Sequence, residues 1–351
     1  MKIVTTEVVA MGGRLPRPVG NVRASWRRRD GLLLRLTDEA GRVGQGEASP
    51  LPGYSPDSLA ECRDALATLP PPELDDGTPI VVQLPSLLET VATPAARFAV
   101  ETALLDLAGQ RAGLPLAVLL GDGASIRRVP LSALLVGAGE AAILDQAERA
   151  IARGIGTLKL KVGRDFSAEM RLLFALRGKF GDRVKLRLDA NGSFAIADVA
   201  ARLLTLRAIE PELVEEPVAD IAWLGPSPVP IALDESLRRP WPEIARAVES
   251  KNVRTFVLKP TVLGGSLACI ALARRGRSLG ADAIVTHTFE GPVGLAAAAA
   301  LALALPSAGA CGLDHHPGID AWPAMELPFL VGDSIIASDR PGLGIETVRR
   351  Q

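Results

Sequence analysis

Short apolar segments that end in a charged residue recur along the second half of the chain, and they constrain the fold more than any other feature. Each predicts one β-strand, and they follow one another at intervals of roughly 19 to 28 residues, enough for a strand, a helix and two loops. Such repeated units predict a parallel sheet that closes into a barrel rather than a sandwich. The segments are residues 157–161, 184–189, 213–215, 231–234 and 256–259, with an uncharged sixth at 283–286.

The charged ends distinguish the first five segments from ordinary buried strands. A strand of a parallel sheet is covered on both faces and should be apolar throughout, yet these five end in Lys, Asp or Glu. Helix caps or loop ion pairs would explain one or two such residues, but five in succession favour a shared site. In a barrel the carboxyl ends of the strands converge on one face, and that face carries the active sites of barrel enzymes.

Three of these end residues are acidic: Asp189, Glu215 and Asp234. Three carboxylates at one point repel one another and raise each other's pKa, so the pattern calls for a bound cation. Oxygen ligands favour a hard ion, Mg²⁺ or Mn²⁺, and the lack of His or Cys at these strand ends disfavours zinc.

Lysines lie on the strands that flank the acidic ones. Lys159 and Lys161 alternate with apolar residues before Asp189, so they share one face of their strand, and Lys259 ends the strand after Asp234. Lysines on opposite sides of a substrate can move protons on or off either face of a carbon atom, and neighbouring cations lower a lysine pKa towards neutrality. The predicted chemistry is proton removal next to a carboxylate, with the metal stabilising the enediolate.

Five spaced motifs together resemble the muconate-lactonizing branch of the enolase superfamily, and the match extends over most of the chain. The motifs are Lys159-Leu160-Lys161, Asp189-Ala190-Asn191, Val214-Glu215-Glu216-Pro217, Leu233-Asp234-Glu235-Ser236 and Leu258-Lys259-Pro260. The resemblance implies an α/β fold, a modified (β/α)₇β TIM barrel of residues 121–319. An α+β capping domain, built from residues 1–120 and 320–351, would lie over it.

The resemblance also implies a role for each matching residue. The metal ion would bind the three strand-end carboxylates, and Lys161 would be the acid/base catalyst. Lys259 would stabilise the intermediate from the opposite side by a cation–π contact, and Lys159 would act electrostatically on the substrate carboxylate. Asn191 and Glu235 would support the metal ligands from behind.

Within that branch the chain is most similar to the o-succinylbenzoate synthase family, on residues 29–32, 46–55, 234–238 and 259–261. This implies dehydration of 2-succinyl-6-hydroxy-2,4-cyclohexadiene-1-carboxylate to o-succinylbenzoate, a step of menaquinone biosynthesis. Two alternatives use the same lysines and stay open: an N-acylamino acid racemase, including one for N-succinylamino acids, and a dipeptide epimerase. Epimerases of this kind usually carry Asp-x-Asp on the last barrel strand, where this chain has the single Asp314.

Five residues are predicted to contact the substrate: Tyr54, Gly265, Thr286, His287 and Glu290. Tyr54 lies in a Pro/Gly-rich loop that should cover the active site. The last three belong to the turn that begins at Thr286, the end of the 283–286 segment, and this turn should touch the succinyl end of the substrate. The family often has a Ser-rich turn at that place, so this chain predicts its chemistry more firmly than its specificity.

Three other motifs favour less specific interpretations. The run Gly137-Ala138-Gly139-Glu140-Ala141-Ala142 matches a dinucleotide-binding GxGxxA and supplies the alternative of an NAD-dependent oxidoreductase. The next strand, however, carries lysines where an acidic residue should bind the ribose. The uncharged stretch 291–313 could span a bilayer, but its prolines and alanines predict a buried helix. The adjacent His315 and His316 would point to opposite faces of a strand, so a loop role is predicted.

Charge and cysteine content set the expected partners. The chain has 39 Lys+Arg against 40 Asp+Glu, a net charge of −1, which predicts neither nucleic-acid binding nor a polybasic membrane anchor. Three widely separated cysteines and the lack of an apolar leader predict no disulfide framework and a cytoplasmic protein. The expected partner is a small-molecule carboxylate, and a homo-oligomer stays open.

Overall fold

The computed structural model describes residues 1–20, 24–121, 127–137, 139–305 and 309–346. Its strands are β1 (Ile3–Gly20), β2 (Ser25–Asp38), β3 (Val43–Ala48), β4 (Arg128–Pro130), β5 (Ser132–Leu135), β6 (Thr157–Lys161), β7 (Lys185–Asp189), β8 (Leu213–Glu215), β9 (Ile231–Leu233), β10 (Val253–Leu258), β11 (Asp282–Val285), β12 (Leu330–Val331) and β13 (Ser334–Ile336). Its helices are α1 (Leu59–Ala67), α2 (Ile80–Glu89), α3 (Pro94–Ala112), α4 (Leu116–Leu120), α5 (Glu140–Ala152), α6 (Phe166–Phe180), α7 (Val199–Leu206), α8 (Trp241–Ser250), α9 (Pro260–Leu263), α10 (Ser266–Ser278) and α11 (Pro292–Ala304).

The amino-terminal part is an antiparallel sheet, β1-β2-β3, covered by helices. Helix α3 confirms the helix predicted from about residue 95 to 112, and it packs directly on β3. Glycines make this approach possible: a Cβ at Gly46 would lie 1.8 Å from the carbonyl oxygen of Ala99, and one at Gly44 would lie 2.1 Å from that of Ala103. We call this sheet with α1–α4 the cap.

Seven parallel strands, in the order β11-β10-β9-β8-β7-β6-β5, form a curled sheet. The two edges of that sheet meet through a very short segment, because Cys311 pairs in parallel with Leu131 and Gly312 pairs in parallel with Thr286. This segment, which we call the closing segment, supplies the eighth position of the ring. The predicted α/β fold, a modified (β/α)₇β barrel with an antiparallel capping sheet, is confirmed, and it differs from the open sheet of a dinucleotide-binding fold.

The carboxyl-terminal tail contacts both parts of the molecule. Strands β12 and β13 form a small antiparallel sheet with β4. Further on, the tail returns to the cap, where the carbonyl of Gly342 accepts a hydrogen bond from the Leu116 amide at 2.8 Å and the Leu343 amide donates to Asp106 Oδ1 at 2.9 Å. The division into residues 1–120 with 320–351, and 121–319, stays a prediction.

Two buried carboxylates of the cap bind the amino-terminal ends of barrel helices. Glu47 accepts hydrogen bonds from the amides of Gly291 and Gly294 at the start of α11, at 2.5 and 2.8 Å. Glu101 accepts from the amides of Ser266 and Leu267 at the start of α10. The first amides of a helix have no partner inside it and favour negative charge, so each carboxylate joins cap to barrel. Burial nevertheless raises the pKa of Glu101 to about 7.

Helix α11 occupies the first part of the uncharged stretch 291–313, and it is packed inside the molecule as predicted, with 12 of its 13 residues buried. Among the helices that the structure describes, none combines the length and the apolar character that crossing a bilayer requires.

Candidate active site

The strand register aligns charged side chains at the carboxyl ends of β6, β7 and β8. Lys161 pairs with Asp189, and Asp189 in turn pairs with Glu215. Asp234 directly follows β9 and Lys259 directly follows β10. All of these side chains except Lys161 are at least nine-tenths buried as residues, so the sequence pattern of charged strand ends becomes one enclosed cluster.

Lys159 lies between two of the candidate metal ligands. Its Nζ is 2.9 Å from Asp189 Oδ2 and 2.7 Å from Glu215 Oε2. Burial opposes the charge of Lys159, but the two carboxylates outweigh it and raise the lysine pKa. Burial opposes ionisation of Asp189 too, and here the charges of Lys159 and Lys161 lower the carboxyl pKa.

Two carboxyl groups of the cluster have raised pKa values although lysines lie beside them. Burial and the nearby charge of Asp189 raise the pKa of Glu215 to about 7, and burial also raises the pKa of Asp234. Within the described residues, Glu215 Oε1, Glu235 Oε2 and Asn191 Oδ1 are buried without a hydrogen-bond partner.

These features fit a bound divalent cation. Among the described residues no three Asp, Glu, His or Cys side chains are already gathered into a metal-binding group, since lysine ammonium groups lie between the carboxylates. The donors are nevertheless all oxygens, one of them is unpartnered on Glu215, and two of the carboxyl groups have raised pKa values. Buried carboxylate oxygens that lack a hydrogen-bond partner suit Mg²⁺.

Lys259 and Tyr54 meet at the third carboxylate. Lys259 Nζ forms an ion pair with Asp234 Oδ2 and a hydrogen bond of 2.6 Å with the Tyr54 hydroxyl, which itself donates to Asp234 Oδ2 at 2.8 Å. The ammonium also lies 4.7 Å from the centre of the Tyr54 ring. The cap loop that carries Tyr54 therefore reaches into the barrel site and holds the lysine.

Glu216 is a site residue that the strand-end pattern did not reveal. Its side chain is buried and accepts hydrogen bonds from the amides of Asp234 and Ser236, at 2.7 and 2.6 Å, and from the Ser236 hydroxyl at 2.9 Å. Its φ of 39° is in the left-handed region, as is the φ of 45° at Asn191. Backbone in this region costs free energy and persists only where its surroundings hold it. The three hydrogen bonds that Glu216 accepts fix the turn that presents Asp234.

Lys161 differs from the other two lysines because no carboxylate of the described residues pairs with it. Its Nζ donates to the backbone carbonyl of Gly20, at 3.0 Å, where β1 of the cap ends over the site. Burial lowers the pKa of Lys161 to about 8, against the opposing charge of Asp189. A lysine with such a pKa has a neutral fraction of roughly a tenth at pH 7 and can accept a proton.

A cavity of about 620 Å³ lies between the cap and the strand ends. All three lysines and Asp189, Asn191, Tyr54, Thr286 and His287 line it. Two predicted substrate contacts do not. Glu290 is buried and accepts hydrogen bonds from Thr261 and Thr288, and Gly265 lies against Glu101, whose carboxylate would be 2.6 Å from a Cβ there.

The turn after β11 is held by the cap. Arg29 is 1% exposed, and its guanidinium donates to the carbonyls of Ser49 and Pro50 in the cap and of Thr288 and Phe289 in the turn. Sequence reasoning missed this role, because the partners are backbone carbonyls, and those in the turn lie about 260 residues further along the chain.

Two histidines stack beside this turn. The rings of His287 and His316 have centroids 3.9 Å apart, and both residues border the cavity. Burial lowers the pKa of His287 to about 3 and holds that of His316 well below its usual value, so both are neutral. The loop role predicted for His316 agrees with its position just beyond the closing segment.

Asp314 follows the closing segment and is already paired. Its two carboxylate oxygens each accept a hydrogen bond from Arg153, both at 2.8 Å. Of the dinucleotide-like run, Gly137 borders the cavity and Glu140 begins α5, while Ala138 lies outside the described residues.

A barrel with acidic strand ends, flanking lysines and a cap that reaches into the cavity has its candidate site where barrel enzymes carry their active sites. The comparison with protein families makes this specific. Residues 3–121 match the family "Mandelate racemase / muconate lactonizing enzyme, N-terminal domain", and residues 142–351 match "Enolase C-terminal domain-like". The chain belongs to the enolase superfamily.

Proteins similar to this chain carry more than one activity. The o-succinylbenzoate synthase of Desulfotalea psychrophila is 31% identical over 320 residues, covering 81% of this chain and 85% of that protein. That of Thermosynechococcus vestitus is 33% identical over 276 residues, covering 75% and 77%. The L-Ala-D/L-Glu epimerase of Bacillus subtilis is 28% identical over 313 residues, covering 85% and 84%.

Among solved structures, the dipeptide epimerase from Methylococcus capsulatus, complexed with Mg and the dipeptide L-Arg-D-Lys, has a TM-score of 0.82 and 26% identity, covering 98% of this chain and 99% of that one. An N-succinyl Arg/Lys racemase from Bacillus cereus has a TM-score of 0.87 at 21% identity, covering 99% and 95%, which shows the shared fold.

Proposed function

We propose that the protein dehydrates 2-succinyl-6-hydroxy-2,4-cyclohexadiene-1-carboxylate to o-succinylbenzoate through an enediolate, with Mg²⁺ as its cofactor. The observation that carries this proposal is that Lys161, with a pKa of about 8, lines the same cavity as Asp189, one of the three buried carboxylates at the strand ends. A proton on the carbon next to a carboxylate is removed most readily where a general base lies beside groups that stabilise the negative charge of the enediolate.

Asp189, Glu215 and Asp234 would hold the metal ion, with Asn191 and Glu235 behind them. Bound there, Mg²⁺ would act as a Lewis acid towards the substrate carboxylate and stabilise negative charge that develops on it. Lys159 would add positive charge from between Asp189 and Glu215.

Lys161 would perform both proton transfers. In its neutral form it removes the proton from the carbon next to the carboxylate, and the electron pair of that C–H bond enters the enediolate. Collapse of the enediolate breaks the neighbouring C–O bond, and the Lys161 ammonium protonates the departing hydroxide, so that water leaves and the ring becomes aromatic. Lys259, held against Tyr54 and Asp234, would stabilise the intermediate by its charge.

The paired state of Asp314 supports dehydration over dipeptide epimerisation. A dipeptide presents an ammonium group, and Arg153 already neutralises the one carboxylate at the corresponding place. Two relatives that align with three quarters of this chain or more, at 31% and 33% identity, are o-succinylbenzoate synthases, which supports the same choice and, through it, a place in menaquinone biosynthesis.

Racemisation of N-succinylamino acids is a second candidate, because Lys161 and Lys259 line the same cavity. The test is to supply the Mg²⁺-loaded enzyme with each substrate in turn, following loss of the cyclohexadiene absorbance or the decay of optical rotation. We expect rapid dehydration. Brisk racemisation without dehydration would replace the first function by the second.

A further inference from the structure

Strand β1 of the cap contains an irregular stretch that borders the cavity. The strand pairs with β2 at Arg14 and again at Val19, and residues 15–18 between them have a single residue of β2 opposite. We call residues 15–18 the bulge. Extra residues in one strand leave the hydrogen-bond ladder and re-aim a side chain, often beside an active site. Arg17, within the bulge, is exposed and borders the cavity.

The backbone on both sides of Arg17 is held in place. Leu15 is buried in a small apolar cluster between the cap and the turn after β11, and Val19 packs against the same cluster. Pro16 and Pro18 flank Arg17 in the chain. Proline fixes its own φ and restricts the residue before it, so the bulge presents Arg17 from a stiff backbone.

Arg17 also differs in its charge state from the other cations that line the cavity. Four of these are already paired with carboxylates: Lys159, Lys259, Arg149 and Arg153. A fifth, Lys161, is the candidate base. The guanidinium of Arg17 has no ion-pair or hydrogen-bond partner among the residues that the structure describes. Because an arginine stays protonated, this leaves a positive charge at the cavity without a neighbouring anion.

The place of the bulge indicates which part of a substrate meets this charge. The carbonyl of Gly20, three residues beyond Arg17, accepts the hydrogen bond of Lys161 at 3.0 Å. Three residues of chain span at most about 10 Å, so Arg17 lies near the base. Phe289, in the turn after β11, packs on the same apolar cluster as Leu15. A substrate arm that leaves the reacting carbon along this turn therefore ends near Arg17.

We propose that Arg17 determines specificity by binding the terminal carboxylate of the substrate's succinyl arm. A guanidinium can donate two parallel hydrogen bonds to a carboxylate, and its charge repels the ammonium group of a dipeptide. The inference rests on the proposed function, because it assigns the second carboxylate of that substrate. It applies equally to N-succinylamino acids, which carry the same arm.

The experiment measures binding to the Mg²⁺-loaded enzyme by titration calorimetry, so it needs no turnover. The probes are o-succinylbenzoate and 2-butanoylbenzoate, in which a methyl group replaces the terminal carboxylate. The variants are Arg17→Gln, which removes the charge, and Arg17→Lys, which keeps the charge without the two parallel donors. The control is Arg14→Gln, at an exposed arginine of the same strand that does not border the cavity.

We expect Arg17→Gln to weaken o-succinylbenzoate binding by about five- to thirtyfold and to leave 2-butanoylbenzoate binding within about twofold of the wild type. Arg17→Lys should recover part of the loss, and Arg14→Gln should bind both ligands as the wild type does. Equal losses for the two ligands, an equal loss in Arg14→Gln, or unchanged o-succinylbenzoate binding in Arg17→Gln would overturn the inference.

The outcome is separable from that of the proposed function. If Arg17→Gln loses the preference for the terminal carboxylate but the wild type does not dehydrate the cyclohexadiene, the recognition site stands and the reaction assignment fails. If the wild type dehydrates the cyclohexadiene and Arg17→Gln binds both ligands as the wild type does, the reaction stands and the recognition site fails. A wild type that binds neither ligand would overturn both.

Discussion

The two sides of the cavity are built from opposite kinds of residue. On the side of β6–β10, lysines and carboxylates are buried together and held in ion pairs, and their pKa values shift in both directions. On the side of β11 and the closing segment, three neutral side chains border the cavity, those of Thr286, His287 and His316, and the nearby Asp314 is paired with Arg153.

Under the proposed function, the residues that would catalyse the reaction and those that would recognise the substrate lie on different sides of the cavity. The charged side suits proton transfer next to any carboxylate, which agrees with relatives that carry different activities. Under the proposed function, the neutral side would contact the rest of the substrate and could change without disturbing the chemistry. The predictions below act on one side at a time.

Removing the metal should have the largest effect. EDTA should reduce dehydration to background, and added Mg²⁺ should restore it, because the buried carboxylates then lose their main counter-charge and the substrate loses its Lewis acid. Near-UV circular dichroism should stay unchanged. Asp234→Asn should weaken Mg²⁺ binding, and Asp182→Asn, at a fully exposed carboxylate, is the control. Full activity in a thoroughly demetallated sample would remove the charged side from the mechanism.

Lys161→Ala should lower kcat for dehydration by about 10²- to 10⁴-fold, because it removes the base and the acid together. The control is Lys185→Ala, at the start of β7 and two-thirds exposed, which should retain wild-type activity. Single-turnover kinetics separate loss of chemistry from loss of binding. A Lys161→Ala enzyme within threefold of the wild type would contradict the assignment.

Lys259→Ala tests whether the two lysines face opposite sides of the substrate. With an N-succinylamino acid in D₂O, racemisation should stop, while one enantiomer still exchanges its α-proton through Lys161. Proton NMR measures the exchange. Exchange of both enantiomers at equal rates would show that a single lysine reaches both faces.

The smallest expected effect concerns stability on the neutral side. The folded-state pKa of His287, and that of His316, lie below the unfolded value near 6.5, so only the unfolded chain gains their protons as the pH falls. With a pKa of about 3, His287 should cost about 2 kcal/mol of unfolding free energy at pH 5 relative to pH 7.5. Urea titrations of the wild type and His287→Gln at both pH values should differ by that amount, and identical pH slopes would contradict it.

The sequence predicted the barrel and the positions of the charged strand ends because both follow from local patterns. Each strand is a short apolar run, and its last residue must lie at the carboxyl edge of the sheet. Helix α3 was predicted for the same reason, from periodicity within one segment. The chemical roles assigned to the strand-end residues stay predictions.

The rest depends on contacts that no local pattern contains. Arg29 binds backbone carbonyls, and any residue could supply those acceptors. Glu216 acts through the amides of a distant turn, and His316 borders the cavity only because the closing segment completes the ring. Gly265 and Glu290 were predicted to contact the substrate. In the structure Gly265 packs against Glu101 of the cap, and the Glu290 carboxylate accepts a hydrogen bond from Thr261 inside the barrel.

Glu47 and Glu101 have a consequence for how such proteins can be recombined. Each satisfies two helix amides that belong to the other folding unit, so neither unit can be exchanged alone without leaving a buried acid and two donors unmatched. A chimera that joins this cap to a relative's barrel should express well only if the donor's α10 and α11 begin at equivalent places. Cap loops transferred from one relative to another would therefore need a barrel whose helices can bind these two acids.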